Sequence, residues 1–396
     1  MQSEPSNLRP GARDFRPHIV LVAGETSGDN LGAALIEALR ERLPRARFSG
    51  IAGPRMRAAG CESWERAEDL AVMGLVEVIP ELPRLLQIRR DLIARVQREH
   101  ADIYIGVDFK EFNLSVAKRL KRIGIRTVQY VSPQVWAWRQ SRVRKIAHSV
   151  DTVLCLLPFE KQFYDAHQVD ARFVGHPLAD LIPLESDRRA ARIALNVPLD
   201  RPCVALLPGS RRGEVARLTP DFAATVAWIH AQRPAMHFVA AMANAQAKEI
   251  FAAALARVGV LEKVLLVDGR SQDVLAACDV ALLASGTASL EATLVKRPMV
   301  VVYRLDKFST FLLRDLGLMK APFFAQPNLL AGRQIVPEFF NEQVRADVLG
   351  PALLQQLDRS DLAQLVATFA EIHRSLRRDA SRQAAAAVLD ALAQTK

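Results

Sequence analysis

The chain has 396 residues, of which 53 are Lys or Arg and 43 are Asp or Glu, so its formal net charge at pH 7 is +10. Half of the residues are hydrophobic, which excludes a mainly disordered chain, and the length predicts about two or three domains. Four cysteines without a CxxC pair exclude a disulfide scaffold and a cysteine-built zinc site, and they suit a reducing cytosol. No apolar run is long enough to predict a transmembrane helix, and residues 1–16 do not read as a signal peptide.

The first half of the chain alternates apolar strands with amphipathic helices. Strands are predicted at His18–Ala23, Asp102–Val107, Thr127–Val131 and Thr152–Leu157, and helices at Leu31–Leu43 and Phe112–Ile123. Continuously apolar strands indicate a parallel sheet that is covered on both faces. Because strands and helices alternate, this half is expected to form an open α/β domain.

A second alternating series follows a proline-containing connection at residues 176–202. Its predicted strands are Cys203–Leu207, His237–Met242, Val264–Val267, Val280–Ala284 and Met299–Val302. Beyond about Pro351 only helices are predicted, and the last is the Ala-rich segment Ser381–Ala393. We therefore expect an α/β protein with two Rossmann-like doubly wound domains and a helical C-terminus.

The composition along the chain sets the expected domain boundaries. Residues 1–16 are expected to be a disordered extension, 17–185 an N-terminal α/β domain, and 186–350 a C-terminal α/β domain. Residues 351–396 are expected to be helices, the last packing back on the N-terminal domain.

The loop after the first strand contains Gly24, Ser27, Gly28 and Asp29. The two glycines would let the backbone approach a ligand, and the helix that follows offers free N–H groups to an anion. The alternative is an ordinary βα turn in which Asp29 or Asn30 caps the helix. A G-x-x-x-G pattern alone does not decide between the two.

Two loops of the second half have the chemistry of a diphosphate site. The first contains Gly209, Ser210 and Arg211, whose guanidinium is a planar fork of donors for phosphate. The second contains Ser285, Gly286 and Thr287 at a helix start, with Glu291 one turn later as an acceptor for ribose hydroxyls. The alternatives are solvated surface arginines and a simple capping box. Together the two loops favour a nucleoside diphosphate.

A general base is predicted at the end of the strand that precedes residue 108. Asp108 is the candidate, Glu111 is its competitor, and helix capping is the alternative for both. The sequence contains no Asp-x-Asp pair and no histidine spacing typical of metal ligands, so no metal and no cofactor is expected.

Residues 70–88 are unusually apolar and are followed by arginines up to Arg98. The residues expected to contact acyl chains or membrane are Val72, Met73, Leu75, Val76, Leu82 and Leu85. Apolar residues beside a basic stripe are typical of a segment that lies on an anionic membrane, although a core helix with a basic solvent face gives the same pattern. Trp136 and Trp138 could bracket a sugar, contact lipid or simply pack. No nucleic-acid recognition module is present, so a nucleic-acid partner is not expected.

Nine short motifs, in order along the chain, resemble the lipid-A-disaccharide synthase family. They are Val22–Asp29, Gly53–Met56, Val72–Gly74, Val131–Pro133, Val135–Arg139, Leu157–Glu160, Leu207–Arg211, Leu283–Ala288 and Pro327–Gly332. The resemblance implies a metal-independent, inverting GT-B glycosyltransferase with a cleft between its two domains. It implies UDP-2,3-diacylglucosamine as donor and 2,3-diacylglucosamine 1-phosphate as acceptor. The products would be UDP and the β-1,6-linked disaccharide 1-phosphate, made at the cytoplasmic face of the inner membrane.

The resemblance also implies roles for single residues. Asp108 matches the family's catalytic carboxylate, Arg211 and Glu291 match its UDP-site residues, and Asn328 matches the Asn of its Pro-Asn loop. The chain reads Asp108-Phe-Lys-Glu-Phe-Asn where the family commonly has Asp-Ala-Pro-Asp-Phe-Asn, which leaves Asp108 as the better base. Gln134 stands where Ser is common.

Two other functions share some of these features. A UDP-amino-sugar 2-epimerase would have the same nucleotide site but needs no acyl-chain surface, so residues 70–88 argue against it. A non-enzymatic lipid or nucleotide-sugar binding protein would need the cleft but no base. A homodimer through the C-terminal region, with exchange of the last helix, stays open.

Overall fold

The computed structural model describes residues 16–71, 78–137, 140–305 and 321–394, without the side chains of residues 69, 71 and 78–82. The predicted N-terminal extension lies outside these residues apart from Arg16. Contacts divide the chain into two compact units, Met1–Pro177 with Arg378–Lys396, and Leu178–Arg377. Among the described residues, no helix is both long and apolar enough to cross a bilayer.

The first unit is a seven-stranded parallel sheet with helices on both faces. Its strands are β1 His18–Ala23, β2 Arg47–Ala52, β3 Glu62–Arg66, β4 Ile103–Val107, β5 Arg126–Tyr130, β6 Thr152–Cys155 and β7 Ala171–Phe173, in the order β3-β2-β1-β4-β5-β6-β7. Its helices are α1 Thr26–Arg42, α2 Pro54–Ala58, α3 Ala67–Ala71, α4 Val78–Arg98, α5 Lys110–Arg122, α6 Val143–Ala147, α7 Pro158–Asp165 and the last helix of the chain, α17 Ala380–Ala393.

Both faces of this sheet are covered, as continuously apolar strands require. Every residue of β1 and β4 is buried. Helices α1 and α17 cover one face, where Leu35 and Leu39 meet Val388 and Leu392. Helices α4 to α7 cover the other face. The strand order reverses direction between β1 and β4, so the carboxyl ends of these two strands form the switch point where such sheets bind ligands.

The second unit has the same architecture with six parallel strands. They are β8 Cys203–Leu207, β9 His237–Met242, β10 Val264–Asp268, β11 Val280–Ala284, β12 Met299–Tyr303 and β13 Glu338–Phe340, in the order β10-β9-β8-β11-β12-β13. The helices are α8 Pro177–Leu181, which begins at the unit boundary, α9 Arg188–Ala194, α10 Arg212–Gln232, α11 Ala245–Arg257, α12 Ser271–Ala277, α13 Thr287–Leu294, α14 Gln326–Ala331, α15 Ala346–Leu357 and α16 Leu362–Leu376. Its switch point lies between β8 and β11.

The predicted fold class is confirmed, and the structure adds four strands that the sequence did not reveal. Strand β2 carries Arg47, Ser49 and Gly50 among its apolar residues, and β3 is a half-exposed edge strand. Strands β7 and β13 have only three residues each. Short or polar edge strands lack the continuous apolar run by which the central strands were recognised. Helix α1 also begins at Thr26, five residues before the predicted start.

Contacts of Arg192 determine to which unit the connection between the two sheets belongs. The connection after Pro177 belongs to the second unit because the guanidinium of Arg192 fastens it there. Arg192 pairs with Asp279 at 2.6 Å and donates to the carbonyls of Pro198 and Leu199. Helix α16 packs on α13 and α14, so α17 alone crosses to the first unit.

A buried lysine–histidine pair joins the two ends of the second unit. The Lys296 ammonium donates to Nδ1 of His373 at 2.6 Å and to the carbonyl of Leu294 at 2.6 Å. Nε2 of His373 lies 2.9 Å from the carbonyl of Ala179, so this nitrogen carries the ring hydrogen. Burial lowers the pKa of Lys296 to about 8 and also lowers the pKa of His373. The chain therefore enters and leaves this unit beside one neutral imidazole.

Replacement of His373 by Ala should lower the free energy of unfolding by about 2–4 kcal/mol, because it leaves a cavity and two polar groups without partners. The unfolded chain binds a proton near the ordinary pKa of 6.5, whereas the folded ring binds it only at lower pH. The stability that depends on a neutral His373 should therefore be complete above pH 6.5 and decline below it, while the lowered pKa of Lys296, about 8, affects stability only at higher pH. Urea denaturation across this range would measure both effects. His373→Gln, which does not titrate, should lack the decline, and an equal decline in both proteins would contradict the prediction.

Candidate functional site

The switch point of the first unit brings Asp108 beside the loop after β1. The Ser27 hydroxyl donates to the Asp108 carboxylate across 3.3 Å. The ring of Phe109 lies over Gly24, where a Cβ atom would come within 2.5 Å of the ring carbon Cγ. A side chain at residue 24 would therefore displace Phe109, and with it the backbone that carries Asp108. Ser27, Gly28 and Asp29 lie in the first turn of α1 and not in a loop.

The backbone of Asp108 adopts a conformation that non-glycine residues rarely take. Its φ is 51°, and the φ of Phe109 is 38°. Two consecutive residues in this region cost about 1–3 kcal/mol each, so the surroundings must hold them. Two buried amides do so. Asn113 Nδ2 and Gln129 Nε2 donate to the carbonyl of Asp108 at 3.0 and 3.1 Å.

These two amides were not recognised in the sequence. Asn113 also accepts a hydrogen bond from the Tyr104 hydroxyl at 2.8 Å and donates to the carbonyl of Val22. It therefore links β1, β4 and the start of α5 through one side chain. The sequence does contain a signal for them. Asn113 and Gln129 are polar residues on otherwise apolar faces of α5 and β5.

The competing carboxylate Glu111 has a different partner. It lies in the first turn of α5, is exposed, and both of its oxygens accept from Arg142 Nη2 at 2.7 Å. The structure therefore leaves Asp108 as the carboxylate at the end of β4.

Asp29 has a structural role that the sequence analysis did not foresee. Its carboxylate is buried and accepts from the backbone N–H groups of Arg55 and Met56 at 2.8 and 3.0 Å. It thus caps α2, whereas α1 has Glu25 at its own N-cap position. The sequence offered two interpretations of Asp29, as a residue of a ligand-binding loop and as the N-cap of α1. In the structure its carboxylate instead binds the N-terminus of α2.

A second buried carboxyl group lies after β6, near the carboxyl edge of the same sheet. Glu160 accepts from the Trp136 indole at 3.3 Å and from the backbone N–H of Leu157 at 3.1 Å. Burial raises the pKa of Glu160 to about 7, and these bonds oppose the shift. Ser132 also bonds Glu160 and lies 3.3 Å from the Tyr164 hydroxyl. The described part of the motifs at residues 131–137 and the motif at residues 157–160 thus form one cluster, in which Trp136 is a packing and hydrogen-bonding residue.

The switch point of the second unit contains a cavity of about 280 Å³. Six of the predicted nucleotide-site residues line it. They are Gly209, Ser210, Ser285, Gly286, Thr287 and, as the sixth member from within α13, Glu291. Gly286 has φ 150° and ψ −151°, which only glycine adopts readily, and no atom lies within 4 Å of where its Cβ would be. The N-terminus of α13 is therefore open to a ligand.

Carboxyl groups form part of the cavity wall. Glu291 accepts from the Ser271 hydroxyl at 2.7 Å, and burial raises its pKa. Glu214, which the sequence analysis did not select, also lines the cavity, and burial raises its pKa as well. It lies in the first turn of α10, after the Gly-Ser-Arg loop, and accepts a hydrogen bond from the backbone N–H of Ser210.

Two predicted residues do not line this cavity. Arg211 is exposed at the N-cap position of α10, next to the cavity residue Ser210. Asn328 is fully buried, and its amide is used within the unit. It accepts from the N–H groups of Ile335 and Val336 and donates to the Val336 carbonyl.

The structure does not describe most of the residues that are predicted to contact lipid. Residues 72–77 are not described, and neither is the side chain of Leu82. Leu85 is described, and it packs half-buried against the core under α4. Within the described residues, no group of three or more His, Cys, Asp or Glu is placed to hold a metal ion.

Comparisons with known proteins agree with these motifs. A family model described as lipid-A-disaccharide synthetase matches residues 19–389. The lipid-A-disaccharide synthase of Alkalilimnicola ehrlichii is 51% identical over 376 residues, covering 94% of this chain and 98% of the relative. The chain belongs to the lipid-A-disaccharide synthase family. The lipid-A-disaccharide synthase of Shigella boydii serotype 18 is 48% identical over 373 residues, covering 94% and 97%. The family resemblance is therefore confirmed.

Solved structures share the fold of this family member at low sequence identity. The glycotransferase of kitacinnamycin has a TM-score of 0.65 at 18% identity, over 96% of this chain and 100% of that one. The UDP-GlcNAc 2-epimerase of Neisseria meningitidis, solved with UDP-GlcNAc, has a TM-score of 0.63 at 11% identity, over 95% and 100%. The GT-B fold class is confirmed.

The capping role of Asp29 is testable by stability. Asp29→Ala should lower the free energy of unfolding by about 2 kcal/mol, because two buried N–H groups of α2 lose a charged acceptor. The neighbouring Asn30 is exposed, so Asn30→Ala should change stability by less than about 0.5 kcal/mol. Urea denaturation of both variants measures the difference. Equal effects would mean that the Asp29 carboxylate does not hold α2.

Proposed function

We propose that this protein transfers the diacylglucosamine group of UDP-2,3-diacylglucosamine to 2,3-diacylglucosamine 1-phosphate, giving the β-1,6-linked disaccharide 1-phosphate and UDP. The observation that carries the proposal is the family relationship, which extends over 94% of the chain at 51% identity. The chemistry of the two switch points supports it, because one carries a carboxylate suited to a base and the other an open helix N-terminus suited to a diphosphate.

The donor is assigned to the second unit. The N–H groups at the start of α13 and the open backbone at Gly286 suit the diphosphate, and Glu291, one turn on, suits the ribose hydroxyls. Arg211 is next to the cavity residue Ser210 and is exposed, so its guanidinium is available to the charge that develops on the leaving UDP.

The base is assigned to Asp108 of the first unit. Its carboxylate accepts the proton of the acceptor hydroxyl while the hydroxyl oxygen forms a bond to the anomeric carbon. The bond from that carbon to the diphosphate breaks on the opposite face, so configuration inverts and UDP leaves with the electron pair. The fixed backbone of residues 108 and 109 holds the carboxylate in one place, which a base requires.

The protein is proposed to work at the cytoplasmic face of the membrane that contains its acylated substrates. The apolar segment 70–88 and the arginines that follow it support this location. If this segment contacts the membrane, replacement of Met73, Leu75 and Val76 by Ser should weaken binding of the protein to anionic vesicles.

Asp108→Asn should reduce kcat by about 10²–10⁴-fold, because the amide cannot accept the proton. The free energy of unfolding should change little, since the bonds that fix this residue are made by its backbone. The measurement is UDP release with acylated donor and acceptor. Glu111→Gln is the matched control and should keep near-normal turnover, since its carboxylate pairs with Arg142. Near-normal turnover in Asp108→Asn would remove Asp108 as the base.

Arg211→Ala should lower kcat/KM by about 10²–10³-fold if its guanidinium stabilises the leaving diphosphate. The next residue, Arg212, is exposed in the first turn of α10 and serves as control. Loss in both variants, or in neither, would contradict a specific role for Arg211.

The same assay separates the alternative functions. Release of UDP only when the acylated acceptor is present supports glycosyl transfer. A 2-epimerase would act on the donor without acceptor, and a binding protein would release no UDP under either condition.

A further inference from the structure

A basic groove lies between α5 and α6 on the first unit, near the C-terminal end of α5, whereas the switch-point residue Asp108 precedes the N-terminal end of that helix. It has a volume of about 580 Å³. Its lining residues are Lys118, Lys121 and Arg122 of α5, Arg144, Lys145 and Ala147 of α6, and His148 directly after α6. No acidic residue is among them.

One of these cations is already engaged. The Lys121 ammonium donates to the carbonyls of Ala147 and Val150 at 3.1 and 2.5 Å and pairs with Asp151 at 3.2 Å. It satisfies the carbonyls at the end of α6, which is the common structural use of a lysine near a helix C-terminus. The structural need for positive charge at this point is therefore met by Lys121 alone.

The other four cationic side chains do not form ion pairs of this kind with described residues. The side chains of Lys118, Arg122, Arg144 and Lys145 are exposed, and none has an acidic partner within 4.0 Å in the part of the chain that the structure describes. Arg142, just outside the groove, differs because it pairs with Glu111. Four like charges along one groove repel each other unless an anion lies between them, so the groove is complementary to negative charge.

We propose that this groove binds the phosphate groups of anionic phospholipids at a bilayer surface. Its size and its four separate cations suit several headgroup phosphates better than one small anion. It contains no Phe, Tyr or Trp side chain on which a base could stack, which disfavours single-stranded nucleic acid. The proposal rests on the proposed membrane location and not on the reaction.

The position of the groove on the first unit supports a bilayer as the partner. Helices α4, α5 and α6 cover the same face of the sheet, and their inner sides share one core through Leu92, Leu120 and Ile146. Helix α4 follows the apolar stretch at residues 70–77 in the chain. Electrostatic attraction between basic side chains and anionic headgroups strengthens the binding of a protein to such a bilayer.

The test uses the full chain and vesicles made of equal parts phosphatidylglycerol and phosphatidylcholine. A variant with Lys118→Gln, Arg122→Gln, Arg144→Gln and Lys145→Gln should partition to these vesicles about tenfold or more weakly than wild type. The matched control removes four exposed cations of the second unit. It carries Arg189→Gln, Arg201→Gln, Arg257→Gln and Lys263→Gln, and it should bind nearly as wild type. Exchange of Lys and Arg at the four groove positions should preserve binding and shows that charge is the cause.

Each vesicle-binding outcome decides the proposal. Equal losses in the groove variant and the control would overturn it in favour of net charge alone. Wild-type binding by a groove variant that unfolds normally would overturn it as well, while leaving the proposed membrane location intact. No vesicle binding by wild type would overturn both the groove proposal and the proposed membrane location.

Competing ligands test the identity of the bound anion. Weakening by inorganic phosphate at constant ionic strength would assign the groove to a soluble anion, and tighter binding of single-stranded RNA than of vesicles would assign it to nucleic acid. UDP release from detergent-dispersed substrates should be unchanged in the groove variant, which separates its failure from failure of the enzyme.

Discussion

The carbonyl oxygen of Asp108 receives two hydrogen bonds from buried amides, and the first switch point is built around this interaction. Asn113 and Gln129 make the bonds, and they come from the helix and the strand that follow β4. They stabilise two left-handed residues that would otherwise cost several kcal/mol. Because Phe109 then lies over Gly24, the loop after β1 is fixed by the same arrangement. The backbone that carries the carboxylate is thereby held by neighbouring elements, and the Ser27 hydroxyl adds a hydrogen bond to the carboxylate itself.

In the second unit, a glycine adopts the unusual backbone conformation at the switch point. Gly286 reaches a backbone conformation closed to other residues, and nothing covers the helix start that it exposes. The difference matches the proposed chemistry. A base needs a fixed carboxylate, which a side chain on a braced backbone provides, whereas a diphosphate needs bare N–H groups, which a glycine provides.

The sequence predicted the buried centre of both sheets and singled out six of the residues that line the cavity of the second unit, because continuous apolar runs and Gly-Ser-Thr clusters at strand ends are local signals. It did not predict β2 or β3, because their polar residues obscure the strand pattern. It also did not predict that Asp29 caps α2, because the two N–H groups that it accepts from lie 26 and 27 positions further along the chain. The role of Asn328 was also inaccessible, because a buried amide and an exposed one look alike in sequence. Such contacts are decided by tertiary packing, which no local pattern encodes.

The carboxyl groups in the cavity of the second unit raise an electrostatic question, since an anion is proposed to bind there. A charged Glu214 and a charged Glu291 would repel a diphosphate. Burial raises the pKa of both, which favours the neutral acids, while the Ser271 bond to Glu291 opposes that shift. A neutral carboxyl group can donate as well as accept a hydrogen bond, so it suits a hydroxyl-bearing ligand beside the phosphates. Burial therefore acts in the direction that lowers the electrostatic cost of placing a diphosphate beside these two carboxyl groups.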